Sequence, residues 1–413
     1  MKSKEGEGTK LYIQAGWLID GTGGPALQDV LMEISNGIIL SIKTEGYRVR
    51  ACEDVIDFSQ CTILPGLVDS HVHLAMSGSP DPEIRKSQLN ASFEEIRDMI
   101  TGHLNEQLCH GVVALRDGGD RAGHTLRYKK ECLEKCKTPV FFGTAGRAWH
   151  AEGRYGGLIG RSPIKGMGLT RSILMEDLAA VDHIKIVNSG LNSLSRFGLE
   201  TPPQFDTEEL REAVMKAEEQ GLKTMIHANG KRAVRSALEA GCHSIEHGFF
   251  MGDDNLALMA EKGVTWVPTL FTMKAYSLIS STGSTESRVA LNNLRHQIDQ
   301  VSRAESYGVN IAAGTDAGSP GVRHGNAISK EIGLLIAAGL SLEKGISCAS
   351  LNGASLLGIA DQAGRLTPGM PGTFVLAMGG PDRILDQLDP PLDVWINGIS
   401  ATGQPALKGL MGE

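Results

Sequence analysis

The feature that most constrains this chain is a change of rhythm near residue 62. Before it, the sequence alternates and turns in the manner of antiparallel strands. After it, short β-branched runs alternate with longer helical stretches, the mark of parallel βα units. Eight strand candidates follow, at residues 64–74, 112–116, 139–143, 183–187, 223–227, 244–247, 265–270 and 309–315. Helical periodicity occupies the intervals, as in residues 93–108, 207–219, 231–240 and 289–307. Eight such units, ending near Leu357, have the length of a (β/α)8 TIM barrel. No Gly-x-Gly-x-x-Gly follows the first of them, so a doubly wound sheet is the poorer description of this α/β pattern.

The two ends read differently. Residues 11–19 alternate, and residues 31–34 and 38–42 flank Ser35-Asn36-Gly37, where Asn-Gly is a strong hairpin signal. After Gly364 strands return at residues 373–378 and 394–396, with a second hairpin turn at Asn397-Gly398. A chain of 413 residues exceeds what one core usually supports. The prediction is a small β-sandwich built from residues 1–61 and 364–413, with the barrel of residues 62–363 between its halves.

Composition narrows the partners. Net charge is −8, and nucleic acids or anionic membranes require clustered Lys and Arg, so neither surface is expected; the charge itself serves solubility, and the partner expected of the site described below is a small-molecule substrate. No run reaches the 18 or so apolar residues of a membrane span, and no apolar stretch follows the polar first ten residues. The seven cysteines (Cys52, Cys61, Cys109, Cys132, Cys136, Cys242 and Cys348) are scattered and lack zinc-knuckle spacing. They are expected to be reduced, which implies a cytoplasmic protein. Self-association into a homo-oligomer is left open.

In a barrel of this kind, reactive side chains project from the C-terminal ends of the strands. The first strand ends in Asp69-Ser70-His71-Val72-His73, and residues two apart share a face, so both imidazoles address one centre. The fourth is His183-Ile184-Lys185-Ile186-Val187; burial of a lysine there disfavours its cation. His227 and His247 end the fifth and sixth strands, 20 residues apart, at one level of the barrel. Asp316 follows the eighth. Each alone is explained by an ordinary structural role. Their joint fall at strand ends points to a site with divalent-metal chemistry, since imidazole and carboxylate suit Zn²⁺ or a similar ion. His103, His110, His124 and His296 lie on helical stretches and are expected to be structural or exposed.

This set resembles the ligands of the amidohydrolase superfamily, in the binuclear subgroup whose strand-4 lysine is carboxylated. Pro65-Gly66-Leu67-Val68-Asp69 and Leu366-Thr367-Pro368-Gly369 are similar to superfamily segments as well. The resemblance implies two divalent ions, zinc by preference. His71, His73 and Asp316 would hold one, and His227 and His247 the other. A CO2-derived carbamate on Lys185 and a hydroxide would bridge them, with Asp316 as general base and then acid.

Ser244-Ile245-Glu246-His247-Gly248, Val267-Pro268-Thr269-Leu270, Gly314-Thr315-Asp316-Ala317-Gly318 and His324-Gly325-Asn326 resemble the prolidase-like and imidazolonepropionase-like branch. Lys185 favours its prolidase-like side. The expected reaction is therefore hydrolysis of a C–N (amide) bond in a dipeptide or N-acyl amino acid. Where that group carries Gly-Gly-His-Gly, this chain has residues 146–157, with Tyr155 at the histidine position. His150, Arg154 and Tyr155 are the candidates to clamp a substrate carboxylate, and Tyr276 is a further pocket candidate. The enzymatic rival is a single-metal deaminase or cyclic-amide hydrolase on the same barrel. A catalytically silent assembly protein is a third reading, opposed by the intact ligand set.

Overall fold

The computed structural model describes residues 10–45, 55–136 and 138–403; Cys52 and the first nine residues lie outside them. The chain opens with β1 (Lys10–Leu18), β2 (Leu27–Ser35), β3 (Ile38–Lys43) and β4 (Val55–Pro65). The β2–β3 turn places Asn36 and Gly37 at φ 51° and 79°, the two left-handed positions that an Asn-Gly hairpin supplies.

The parallel strands follow in two arcs. One contains β5 (Leu67–Val72), β6 (Val112–Asp117) and β7 (Phe141–Thr144). The other contains β8 (Ala148–Trp149), β9 (Gly160–Arg161), β10 (His183–Val187), β11 (Lys223–Ala228), β12 (Ser244–His247) and β13 (Thr265–Val267), in the order β13-β12-β11-β10-β8-β9. β5, β6, β10 and β12 are buried along their whole length, as parallel strands covered on both faces must be. The helix at Phe93–Cys109 begins with a Ser92/Glu95 capping box and buries Ile96, Ile100 and Leu104 on one stripe.

The expected closed barrel is not one continuous ladder. The predicted eighth strand, residues 309–315, is an extended segment with single bridges, Trp266 to Ile311 and Val72 to Ala317. It still joins the two arcs: Ala312 N–H donates to Trp266 O at 2.9 Å and Ser70 N–H to Ala313 O at 2.9 Å. On the opposite side, Asp182 N–H donates to Thr144 O at 3.0 Å between β7 and β10. Within the segment Ala313 N–H goes to Cys348 O and Thr315 N–H to the Asp69 carboxylate, so β-branched composition there does not produce a ladder, and Asp316, at φ 58°, ends the extended run. Two other strand expectations shorten for similar reasons. Residues 64–66 belong to the end of β4 and a break before β5, and residue 270 begins the helix Leu270–Ile279 after a left-handed Thr269.

The chain returns with β14 (Phe374–Met378), β15 (Asp393–Ile396) and β16 (Ile399–Ser400). Strands from both termini do assemble, but as one seven-stranded sheet, β16-β15-β14-β4-β1-β2-β3, rather than two stacked ones. The sheet curls on itself. Ile39 N–H donates to Met370 O at 2.8 Å, and Gly372 N–H to Gly37 O at 2.7 Å. Its apolar core holds Ile13, Met32, Phe58, Ile63, Phe374 and Trp395, all buried, the last two with rings stacked at 5.3 Å.

Candidate active site

Strand order and register bring the predicted ligands together. In the β10–β11 pair Val187 lies opposite His227, and in the β11–β12 pair Ala228 lies opposite His247. His71, His73, Lys185, His227, His247 and Asp316 all line one cavity of about 510 Å³ at this end of the strands. A larger groove of about 960 Å³, lined by Lys231, Arg232, Arg235 and several acidic residues, contains none of them.

His71, His73 and Asp316 each offer a ligand atom within 4.8 Å of the others. Asp316 Oδ1 is 3.7 Å from His71 Nε2 and 3.5 Å from His73 Nε2. The tautomers are set from behind. His71 Nδ1–H donates to Glu246 Oε2 at 2.7 Å, and His73 Nδ1–H to Gly119 O at 3.0 Å, so both Nε2 lone pairs face Asp316. His227 Nε2 lies 3.2 Å from Gly190 O, which leaves its Nδ1 lone pair. His247 Nδ1 shares a hydrogen bond with Thr269 Oγ1 at 2.7 Å. Burial, more than any neighbour, depresses the pKa of all four imidazoles, and Lys185 adds to the effect. They are neutral at pH 7 and therefore able to bind a cation.

Lys185 is 1% exposed, and its Nζ has no hydrogen-bond partner among the described residues. Burial brings its pKa down to about 8, against the attraction of Glu246. An orphaned ammonium in such a place is costly, and a carboxylated amine would relieve it. The donor set thus fits divalent ions and a carbamate.

Glu246 is fully buried and accepts three hydrogen bonds. Besides His71 it takes Arg116 Nη2–H at 2.7 Å and the Ser244 hydroxyl. Arg116 in turn donates to Ser70 O at 2.8 Å. Asp69 locks the other side, accepting Thr315 N–H at 3.0 Å and Thr315 Oγ1–H at 2.6 Å. Burial raises Asp316 to about 6 while Ser319 Oγ–H donates to its Oδ2 at 2.8 Å. Non-glycine residues with left-handed backbone gather here: His247, Thr269 and Asp316, at φ 65°, 48° and 58°. Such conformations persist where surroundings over-determine them, as when Trp266 Nε1–H donates to His247 O at 2.9 Å.

Tyr155 and Tyr276 line the same cavity, the former with its ring 5.5 Å from that of His227. Burial raises both phenols, Tyr276 to about 12, so they remain protonated donors. The structure places His150 and Arg154 elsewhere, on a neighbouring pocket behind Tyr155. His150 Nδ1 is bound to Ala151 O at 2.9 Å, and Arg154 donates to Pro202 O at 3.0 Å. The loop turns between Arg154 and Tyr155, so consecutive side chains reach different pockets.

Arg85 was not singled out by the sequence. It sits on the helix Pro82–Asn90, donates to Gly318 O at 2.8 Å and lines the cavity with no carboxylate at ion-pair distance among the described residues. Arg116 and Glu246 were legible in principle, as charged residues in wholly buried strands, by the logic that flags Lys185.

Residues 62–400 match the amidohydrolase family, and the chain belongs to that family. It is similar to an ochratoxinase of Aspergillus niger, 27% identical over 341 residues that span 75% of this chain and 69% of that protein. It is also similar to an imidazolonepropionase of Clostridium tetani, 24% identical over 362 residues, 78% of this chain and 77% of that one. Among solved structures, a Xaa-Pro dipeptidase with methionine bound in its active site superposes with a TM-score of 0.78 at 26% identity, covering 96% of this chain and all (100%) of the other. The chain is an enzyme, a hydrolase of carbon–nitrogen bonds with the amidohydrolase fold, in a family that uses divalent metals. No helix among the described residues is long and apolar enough to cross a membrane.

Proposed function

We propose that the enzyme is a two-metal hydrolase that cleaves the amide of a dipeptide or N-acyl amino acid. The observation that carries this reading is the unpartnered, buried Lys185 amine on the floor of a cavity with four neutral imidazoles and Asp316. His71, His73 and Asp316 would hold one ion, His227 and His247 the second, and carboxylated Lys185 would bridge them. Zinc suits these donors. Bound metals supply a water ionised near neutral pH and a Lewis acid for the scissile carbonyl.

The chain's own residues do the rest. Asp316 takes the proton of the attacking water and returns it to the leaving amine; Ser319 orients its Oδ2 for that exchange. Arg85 offers its remaining donors to a substrate carboxylate, with the Tyr155 and Tyr276 hydroxyls as neutral donors in the same cavity. Met76, Leu89, Leu194, Phe249 and Met273 make the remaining wall apolar, which suits a bulky apolar side chain and excludes competing water. The six described cysteines are all free, as in a cytoplasmic enzyme.

The test is release of free amino acids from a panel of dipeptides and N-acyl amino acids, with and without a chelator. Chelator-sensitive release supports the reading, and absence of release by metal-loaded enzyme rejects this substrate class. A second reading, a single-metal deaminase or cyclic-amide hydrolase, rests on the compactness of the His71–His73–Asp316 triad, which by itself suffices for one ion. Metal content per chain separates the two.

A further inference from the structure

Behind Tyr155 lies a second pocket of about 580 Å³, whose lining carries Arg121, Arg154, Arg161 and His150 and no carboxylate. In a chain of net charge −8, this concentration of guanidinium groups is anomalous. Among the described residues Arg161 alone of the three arginines has an acidic partner, Glu176, and like charges so gathered repel one another unless an anion joins them. The larger groove beside Lys231 shows the contrast, because Asp206, Glu239, Asp253 and Asp254 offset its cations.

The individual groups are set to receive a ligand. Arg161 lies over the Trp149 ring at 4.7 Å and pairs on one side with Glu176, while its Nε–H has no acceptor among the described residues. Arg121 has no hydrogen-bond or ion-pair partner among them. His150 is 7% exposed, and with Nδ1 held by Ala151 O its Nε2 has no hydrogen-bond partner among the described residues. The floor is a glycine loop. Gly156 has φ 134°, and a Cβ there would stand 2.5 Å from that of His150, so glycine alone lets the backbone lie on the imidazole. The N–H groups of Gly157 and Leu158 take no acceptor among the described residues, which adds backbone donors of the kind that cradle oxyanions.

We propose that this pocket is a binding site for a small oxyanion of the carboxylate or phosphate class, distinct from the metal cavity. Tyr155 and Leu158 line both pockets, so the loop that grips the anion also carries a wall of the reaction cavity. Occupancy therefore shifts KM more than kcat. The anion is either free or the second acidic group of a long substrate, and kinetics distinguish these: competition with substrate marks the latter, altered KM without competition the former.

The test is calorimetric titration of the full-length enzyme with inorganic phosphate and with citrate, in metal-loaded and metal-stripped forms. One saturable site that persists without metal, and weakens by roughly tenfold or more in an Arg121→Gln/Arg154→Gln double variant, is the expected result. Both arginines are exposed, so the variant keeps its fold, and an unchanged melting temperature verifies this. Arg161→Gln should weaken binding as well. Anion binding that disappears with the metal, that the variants leave unchanged, or that neither probe shows would overturn the site.

Discussion

The curled terminal sheet and the metal cavity are both buried, yet they are built on opposite principles. Inside the sheet, Ile13, Met32, Phe58, Phe374 and Trp395 pack on one another, and the buried carboxylate Asp393 stands at the start of β15, held by Val394 N–H and the Thr402 hydroxyl. In the cavity wall and directly behind it, Lys185, four histidines, Arg116 and Glu246 are each no more than 9% exposed. The sheet core gains free energy by removing apolar surface from water and tolerates any filling of the right shape. The cavity spends stability on charges that only specific partners make tolerable. Stability and chemistry should therefore separate under mutation, one region answering mainly to each.

The largest expected effect lies in the cavity. Asp316→Asn should lower kcat/KM by on the order of 10²- to 10⁴-fold with little change in folding, read by steady-state kinetics beside circular dichroism. Activity near the parent level would remove Asp316 from proton transfer. Glu246→Gln should act in both currencies: a loss of metal affinity of roughly 10- to 100-fold, because His71 loses the anion that orients it. A stability loss of about 3–5 kcal/mol should accompany it, as Arg116 is left buried without its charge partner. Denaturant titration with and without metal separates the two components.

Phe374→Ala is the counterpart in the sheet. It should cost about 3–5 kcal/mol of stability and leave kcat per folded molecule unchanged. A drop in kcat would show that the sheet reaches the chemistry and would dissolve the contrast.

The smallest effect is a pH optimum of stability in the metal-free protein. Buried histidines such as His183 and His227, with pKa near 3, favour the folded state above 6.5, and that contribution is lost as pH falls below it. Asp69 and Asp117, raised to about 7, and Glu331, raised to about 8, act in the opposite sense: their contribution is full below the ordinary carboxyl pKa of about 4 and is lost progressively as pH rises through those raised values. Because the depressed histidines, which also include His71, His73, His247 and His324, outnumber the raised carboxyls, melting temperature should pass through a maximum near pH 6.5. A monotonic dependence would contradict the assignment of these groups as buried and unpaired by metal.

Much of the cavity floor is legible in the sequence because strand periodicity is simple: side chains two apart share a face, and a lysine among β-branched residues stands out. The Asn36-Gly37 and Asn397-Gly398 turns are local in the same way, and both adopt the left-handed backbone the dipeptide favours. What is missed depends on contacts far apart in the chain. Arg85 reaches Gly318 across 233 positions and carries no local signature. The eighth strand forms no regular ladder because Thr315 N–H is taken by the Asp69 carboxylate at 3.0 Å and Ala313 N–H by Cys348 O at 2.8 Å, contacts that no periodicity encodes. His150 and Arg154 share a loop with Tyr155 but face another pocket, since a glycine-rich loop fixes spacing without fixing direction.

The measurement that bears most directly on the central claim is metal stoichiometry in the parent enzyme and in Lys185→Ala, with and without added formate. If Lys185 is the bridge, the parent should bind two ions per chain, the variant should lose at least one together with most activity, and formate should restore part of both. A variant that keeps two ions and full activity would contradict the two-metal, carbamate-bridged site.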